Sequence, residues 1–123
     1  MLIYCAHYYG GKENVKDSAE EKIRRLQLDD LQNTYISPIH ALGYLYEYMD
    51  YNTGMELCYD LLMVCDKLLV LSRPSEGVMR EIKMAKKLHM PIEYANERIE
   101  MECEGWEYQC SASENLEAVK QQA

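Results

Sequence analysis

Short apolar runs alternate along this chain with stretches whose apolar residues recur every three or four positions. Leu2-Ile3-Tyr4-Cys5-Ala6 reads as a strand. Val15, Ala19, Ile23 and Leu26 then mark one face of a helix over about residues 13–27. Asn33–Ser37 is a second strand, stopped by Pro38, and a tyrosine-rich connection fills residues 39–51. Met55, Tyr59, Leu62 and Cys65 supply the inward face of a helix over roughly 53–65. A strand at 67–71, a helix at 75–89 and a strand at Pro91–Tyr94 follow. Trp106–Cys110 alternates like a fifth strand, with a last helix from Ser113 to Gln122. Strands and helices alternating at this spacing predict βαβ units. The expected fold is one α/β domain over residues 1–123, a doubly wound sheet of four to five mainly parallel strands with helices on both faces. Residues 95–123 are expected to form an acidic C-terminal extension.

One residue breaks the pattern. At about 100° per residue, Val78, Ile82, Ala85 and Leu88 fall on one stripe, and Glu81 lies inside it. Arg80, Lys83 and Lys87 point the other way. A carboxylate among core residues costs several kcal/mol unless it is hydrogen-bonded or has chemistry to do. The helix also starts at the carboxyl end of a strand, where open α/β sheets bind ligands. A helix-edge glutamate reaching out to solvent is the plain alternative.

Charge and cysteine content narrow the classes. The net charge is −8, and residues 93–123 hold eight acids against Arg98 and Lys120. Such a chain has no electrostatic footprint for duplex nucleic acid, and the acidic end reads as a solvated face. No stretch approaches the roughly 20 apolar residues of a membrane span. The first residues look like a strand rather than a leader, so a cytoplasmic location is expected. The five cysteines contain no C-x-x-C pair. Cys5, Cys58 and Cys65 fit core positions, while Cys103 and Cys110 could bridge or form half of a metal site. His7, His40 and His89 show no metal-ligand spacing, so neither a metal nor a cofactor is expected.

Three segments carry candidate chemistry. In the first, Ala6–Asn14, Gly10 and Gly11 let the backbone approach a ligand at a helix start, and Lys12 adds a charge beside it. The same residues also suit a simple turn. The second is Ser37-Pro38-Ile39-His40 with Tyr44, Tyr46, Tyr48 and Tyr51. Tyrosine rings suit stacking on a base, or equally a contact between subunits. With eleven tyrosines and no phenylalanine, many must also fill the core. The third is the loop before Glu81, where Ser75 can cap the helix and Gly77 allows a close approach.

On these residues the chain resembles the nucleoside 2-deoxyribosyltransferase-like superfamily, in particular its small bacterial and phage members. The resemblance runs from about Leu2 to Tyr94. It rests on Ile3–Gly11 with Asn14-Val15, Ile36–His40, Leu61–Asp66 and above all Ser75–Glu81 with Ala85 and Pro91. It implies a flavodoxin-like fold that binds a nucleoside or nucleotide at the carboxyl edge of the sheet, as a homodimer or larger oligomer. Glu81 matches the glutamate that attacks the anomeric carbon in the family's enzymes, which cleave or transfer an N-glycosidic bond. Tyr4 or Tyr8 would position Glu81 or the sugar, and Gly10, Gly11 and Ser75 would hold a 5′-phosphate. His7, Tyr9, Lys12, His40 and Gly77 complete the expected ligand-binding set. Nucleotide-handling members often carry serine and arginine in the first loop, where this chain has Ala6 or His7 and Tyr9. A non-catalytic binder that senses or sequesters a nucleotide signal, as in phage–host conflict, is the second expectation.

Overall fold

The computed structural model describes residues 1–122, with side chains described through Gln109. Among these residues, β1 (Leu2–Ala6), β2 (Thr34–Ile36), β3 (Lys67–Val70) and β4 (Ile92–Tyr94) form one sheet in the order β2-β1-β3-β4. Every pairing is parallel. Parallel neighbours cannot be joined by a hairpin, so helices supply the crossovers. Helix α1 (Glu13–Asp29) links β1 to β2, and α4 (Glu76–Lys87) links β3 to β4. Between β2 and β3 run α2 (Pro38–Leu42), a 3-10 helix (Gly43–Tyr48) and α3 (Tyr51–Met63). Helix α5 (Glu97–Gln122) follows β4. The architecture is α/β, doubly wound and flavodoxin-like.

Strand alternation builds two cores. Ile3, Cys5, Leu69 and Leu71 face one side, where Ile23 and Leu26 of α1 cover them. Tyr4, Ala6, Leu68 and Val70 face the other, against Leu62 of α3, Val78, Ile82 and Ala85 of α4, and Ile99 and Cys103 of α5. Each fully buried aliphatic side chain contributes about 1.5–3 kcal/mol. The chain leaves β1 towards one face and β3 towards the other, so the crevice expected of this topology opens between the carboxyl ends of those two strands.

Local signals set the boundaries. Ser37 caps α2 ahead of Pro38. Asp50 caps α3 by accepting from the Thr53 amide at 2.7 Å. Helix α4 ends in a Schellman turn: His89 takes φ of 55°, and Met90 N donates to Ala85 O at 2.9 Å.

The fifth strand expected at Trp106–Cys110 is absent: those residues lie inside α5. A polar–apolar alternation five residues long fits either period. Here the longer spacing Ile99–Cys103–Trp106 prevails, with Asn96 Oδ1 accepting from the Ile99 amide at 2.9 Å at the start of α5. The tyrosine-rich connection at 39–51 is helical for most of its length. Leu88, assigned to the buried stripe, is 39 % exposed because it is the cap residue of α4 and ends the helix there.

Candidate functional site

Glu81 is buried on the inner stripe of α4, 6 % exposed, beside Val78, Ile82 and Ala85. The edge position open to solvent is ruled out. Tyr4, completely buried at the centre of β1, places its hydroxyl in a short hydrogen bond with Glu81 Oε2. Burial pushes the Glu81 carboxyl up to about 8, a rise that the Tyr4 bond only partly offsets. The Tyr4 phenol is driven well above its ordinary value, by burial first and then by the charge of Glu81. Among the described residues no cation pairs with Glu81. At pH 7 the Glu81 carboxyl is mostly protonated.

The tyrosine-rich segment lies close enough to Glu81 to feel its charge. Tyr46 donates to or accepts from Cys58 Sγ at 3.3 Å and packs its ring on Gly54, where an added Cβ would sit 3.6 Å away. Burial lifts the phenols of Tyr46, Tyr51 and Tyr59, and the charge of Glu81 adds to each rise. The thiol of Cys58 is raised as well, by burial and then by Glu81. Gly77 does bring the α4 backbone close to a neighbour, but that neighbour is Tyr51: a Cβ on Gly77 would lie 3.2 Å from the Tyr51 hydroxyl. Ser75 caps α4, its Oγ accepting from the Val78 amide at 3.2 Å.

The two loops at the mouth of the crevice are tied together. The Tyr8 amide donates to Ser72 Oγ at 2.9 Å, and the Ser72 hydroxyl donates to Arg73 O at 3.0 Å. The Tyr8 ring stacks on His7, with centroids 5.0 Å apart, and carries the Arg73 guanidinium 5.4 Å from its centroid. Gly10 and Gly11 both have positive φ, 63° and 73°, with nothing within 4 Å of an added Cβ. They make an open turn ahead of α1, with Lys12 exposed at its N-cap. Tyr9 reaches inward to the Tyr46 ring, with centroids 6.2 Å apart.

The histidines point elsewhere. His7 is buried and both its nitrogens are used: Nδ1 donates to Tyr8 O at 2.7 Å, and Nε2 accepts from Lys22 Nζ at 3.0 Å. Burial, with Lys22 adding to it, lowers its pKa, so the ring is neutral. His40 bonds through Nδ1 to Ser37 Oγ at 2.6 Å, and its Nε2 is buried without a partner among the described residues. It lies in a separate groove of about 510 Å³ between α1 and α2, lined by Ile23, Gln27 and Tyr35 among others. A second groove, of about 300 Å³, runs along the α1 face of the sheet. Neither contains Glu81, and burial with chemistry, rather than groove size, marks the candidate site.

The structure thus brings Glu81, Tyr4, Tyr46, Tyr51, Cys58 and Gly77 together, sets Tyr8, Tyr9, Gly10, Gly11, Lys12 and Ser75 around the mouth, and leaves His40 apart. Cys58 is the member that the sequence placed only in the core. Its spacing of four from both Gly54 and Leu62 put it on the inner face of α3, but nothing local linked that face to Glu81. Cys5, Cys65 and Cys103 are buried free thiols, and the Cys110 side chain lies outside those described. Asp66, at the opposite end of the sheet, accepts from the Leu2 amide at 2.7 Å. No group of three metal-ligating side chains occurs among the described residues, and none of the helices described is long and apolar enough to cross a membrane.

No protein-family model matches this chain, and a search of curated proteins returns no match.

Proposed function

We propose that the protein binds a nucleoside or nucleotide in the crevice between β1 and β3 and cleaves or transfers its N-glycosidic bond, with Glu81 as nucleophile. The observation that carries this reading is a buried carboxyl with a tyrosine hydroxyl on it, on the helix that starts at the carboxyl edge of a parallel sheet. In this reaction a Glu81 oxygen attacks the anomeric carbon and the carbon–nitrogen bond breaks. Its electron pair leaves with the base, which takes up a proton. Water, or a second base, then opens the glycosyl ester and returns the carboxylate. The tyrosine rings around Glu81 offer flat surfaces for the base. The protein would work in the cytoplasm as a homodimer or larger oligomer.

Attack needs the ionised carboxylate, and burial holds the Glu81 carboxyl up to about 8. Base release should therefore climb as pH rises through about 8 and then level off. The same protonation supports a second reading, a non-catalytic binder: a neutral carboxyl in a closed site donates a hydrogen bond to a sugar hydroxyl without reacting.

Incubation with deoxynucleosides, nucleoside monophosphates and cyclic dinucleotides, followed by chromatography of free base, separates the two. Base release that falls at least about a thousandfold in Glu81→Gln establishes the enzyme. Intact nucleotide recovered from denatured protein, with no turnover at any pH, establishes the binder. Neither result would leave a fold without this function.

A further inference from the structure

Glu81 is 6 % exposed, so a ligand reaches its carboxyl only after a side chain has moved. The packing of α3 on α4 shows which one. Helix α3 ends just before β3 begins and α4 begins just after β3 ends, so both helices start at the carboxyl edge of the sheet. Tyr51, Met55, Cys58 and Leu62 recur at helical spacing along α3. Met55, Cys58 and Leu62 are buried, and Tyr51, the outermost of the row, is 51 % exposed.

Gly77 and Glu81 stand one turn apart on the same face of α4. A helical side chain leans over the turn that precedes its own Cα, so the Glu81 carboxyl lies towards the turn that holds Gly77. Gly77 leaves a notch there, and two atoms of α3 fill it. A Cβ on Gly77 would meet the Tyr51 hydroxyl at 3.2 Å and the Met55 sulfur at 3.9 Å. Met55 is buried and makes the inner wall. The Tyr51 hydroxyl is the outer stop, at the tip of a ring that reaches the surface.

That ring is held from outside by Arg80, whose guanidinium lies 5.0 Å from its centroid. Arg80 Nη1 also donates to Asn52 Oδ1 at 3.0 Å, and Nη2 pairs with Glu76 at 3.1 Å. Cation–π contacts and ion pairs at exposed positions are weak, and exposed side chains change rotamer quickly. The stop is closed but lightly held.

We propose that Tyr51 is the gate to Glu81: its hydroxyl plugs the notch at Gly77, Arg80 latches the ring, and rotation of the side chain, with no movement of the backbone, admits the ligand. The gate rests on the proposed function only in that Glu81 is the group to be reached. Closed, it keeps water from the carboxyl.

Access to Glu81 can be read without a substrate, by coupling glycinamide to carboxyls of the full-length protein with a water-soluble carbodiimide at pH 7. Peptide mass spectrometry then compares Glu81 with exposed Glu104 in the same digest. Glu81 keeps its proton at this pH, as addition to the carbodiimide requires. Labelling of Glu81 relative to Glu104 should rise at least about tenfold in Tyr51→Ala and by a smaller factor in Arg80→Gln. Tyr51→Phe should stay within about twofold of wild type, because a gap of one oxygen atom does not pass the reagent. A Tyr51→Ala protein labelled like wild type overturns the gate. So does labelling that rises in Tyr8→Ala instead, which would place the entrance between the two loops. The Cys5 thiol, buried on the opposite face of the sheet, reports opening of the whole chain. If Tyr51→Ala makes that thiol reactive, Arg80→Gln, which leaves every buried side chain in place, decides: a rise supports the gate and no rise overturns it. A wild type that releases no base defeats the nucleophile reading, while the labelling still decides the gate.

Discussion

Helices α4 and α5 both carry glutamates, yet among those whose side chains are described only one is chemically unusual. On α5, Glu97, Glu100 and Glu104 are exposed, and Glu102 and Glu107 pair with Arg98 and Lys86 at the surface. On α4, Glu76 caps a surface ion pair with Arg80, and Glu81, five residues on, is buried in the core. The residue type is the same throughout. Desolvation makes the difference, since a carboxylate in water has nothing to gain from the protein, and a buried one must keep its proton or find donors.

Moving a carboxyl into the buried stripe of α5 is the strongest way to break this contrast. Cys103 is 1 % exposed on the inner face of α5. Cys103→Glu should cost roughly 3–5 kcal/mol at pH 8, measured by urea denaturation, and less at pH 4, where the new group is neutral.

Glu81 itself should make stability pH-dependent. Its folded pKa of about 8 lies above its unfolded value, so the native state holds the extra proton between about pH 4.5 and 8. Stability should therefore fall as pH rises through that window, by on the order of 3 kcal/mol between pH 4 and pH 7 for this group alone. Glu81→Gln, which keeps the shape and an acceptor for Tyr4, should remove that slope in denaturant melts across pH.

Smaller changes sharpen the contrast. Tyr4→Phe takes away the donor on Glu81 and should cost about 1–2 kcal/mol at pH 8 while raising the carboxyl midpoint further. On the solvated side, Lys86→Ala breaks the 2.7 Å pair with Glu107 and should cost less than about 1 kcal/mol, with the loss shrinking in high salt. Glu104→Gln should stay within about 0.5 kcal/mol of wild type at every pH, because the residue is exposed.

Much of the fold is legible in one dimension. The period-two runs at Leu2–Ala6 and Lys67–Val70 and the stripes of α1, α3 and α4 depend on local periodicity, and they came out within two residues at each end. The stretch 106–110 did not, because five alternating residues satisfy both periods and only the packing of Ile99 and Cys103 against the sheet selects the helix. The site divides the same way. Ser75 at the N-cap and Glu81 on the inner face follow from position within one helix. His40 left the set because Ser37 and α2 hold it in the groove against α1.

The chain's own pattern determined an α/β sheet of parallel strands and an acidic residue on the buried face of the helix after β3, since both depend on spacing along the backbone. Tertiary structure alone decided what surrounds that residue. Tyr4, Tyr46 and Cys58 lie 77, 35 and 23 positions before Glu81 in the chain, and no periodicity spans such distances. Strand order and crossover direction bring them to one carboxyl group, and the water they exclude turns an ordinary glutamate into one that holds its proton near pH 8.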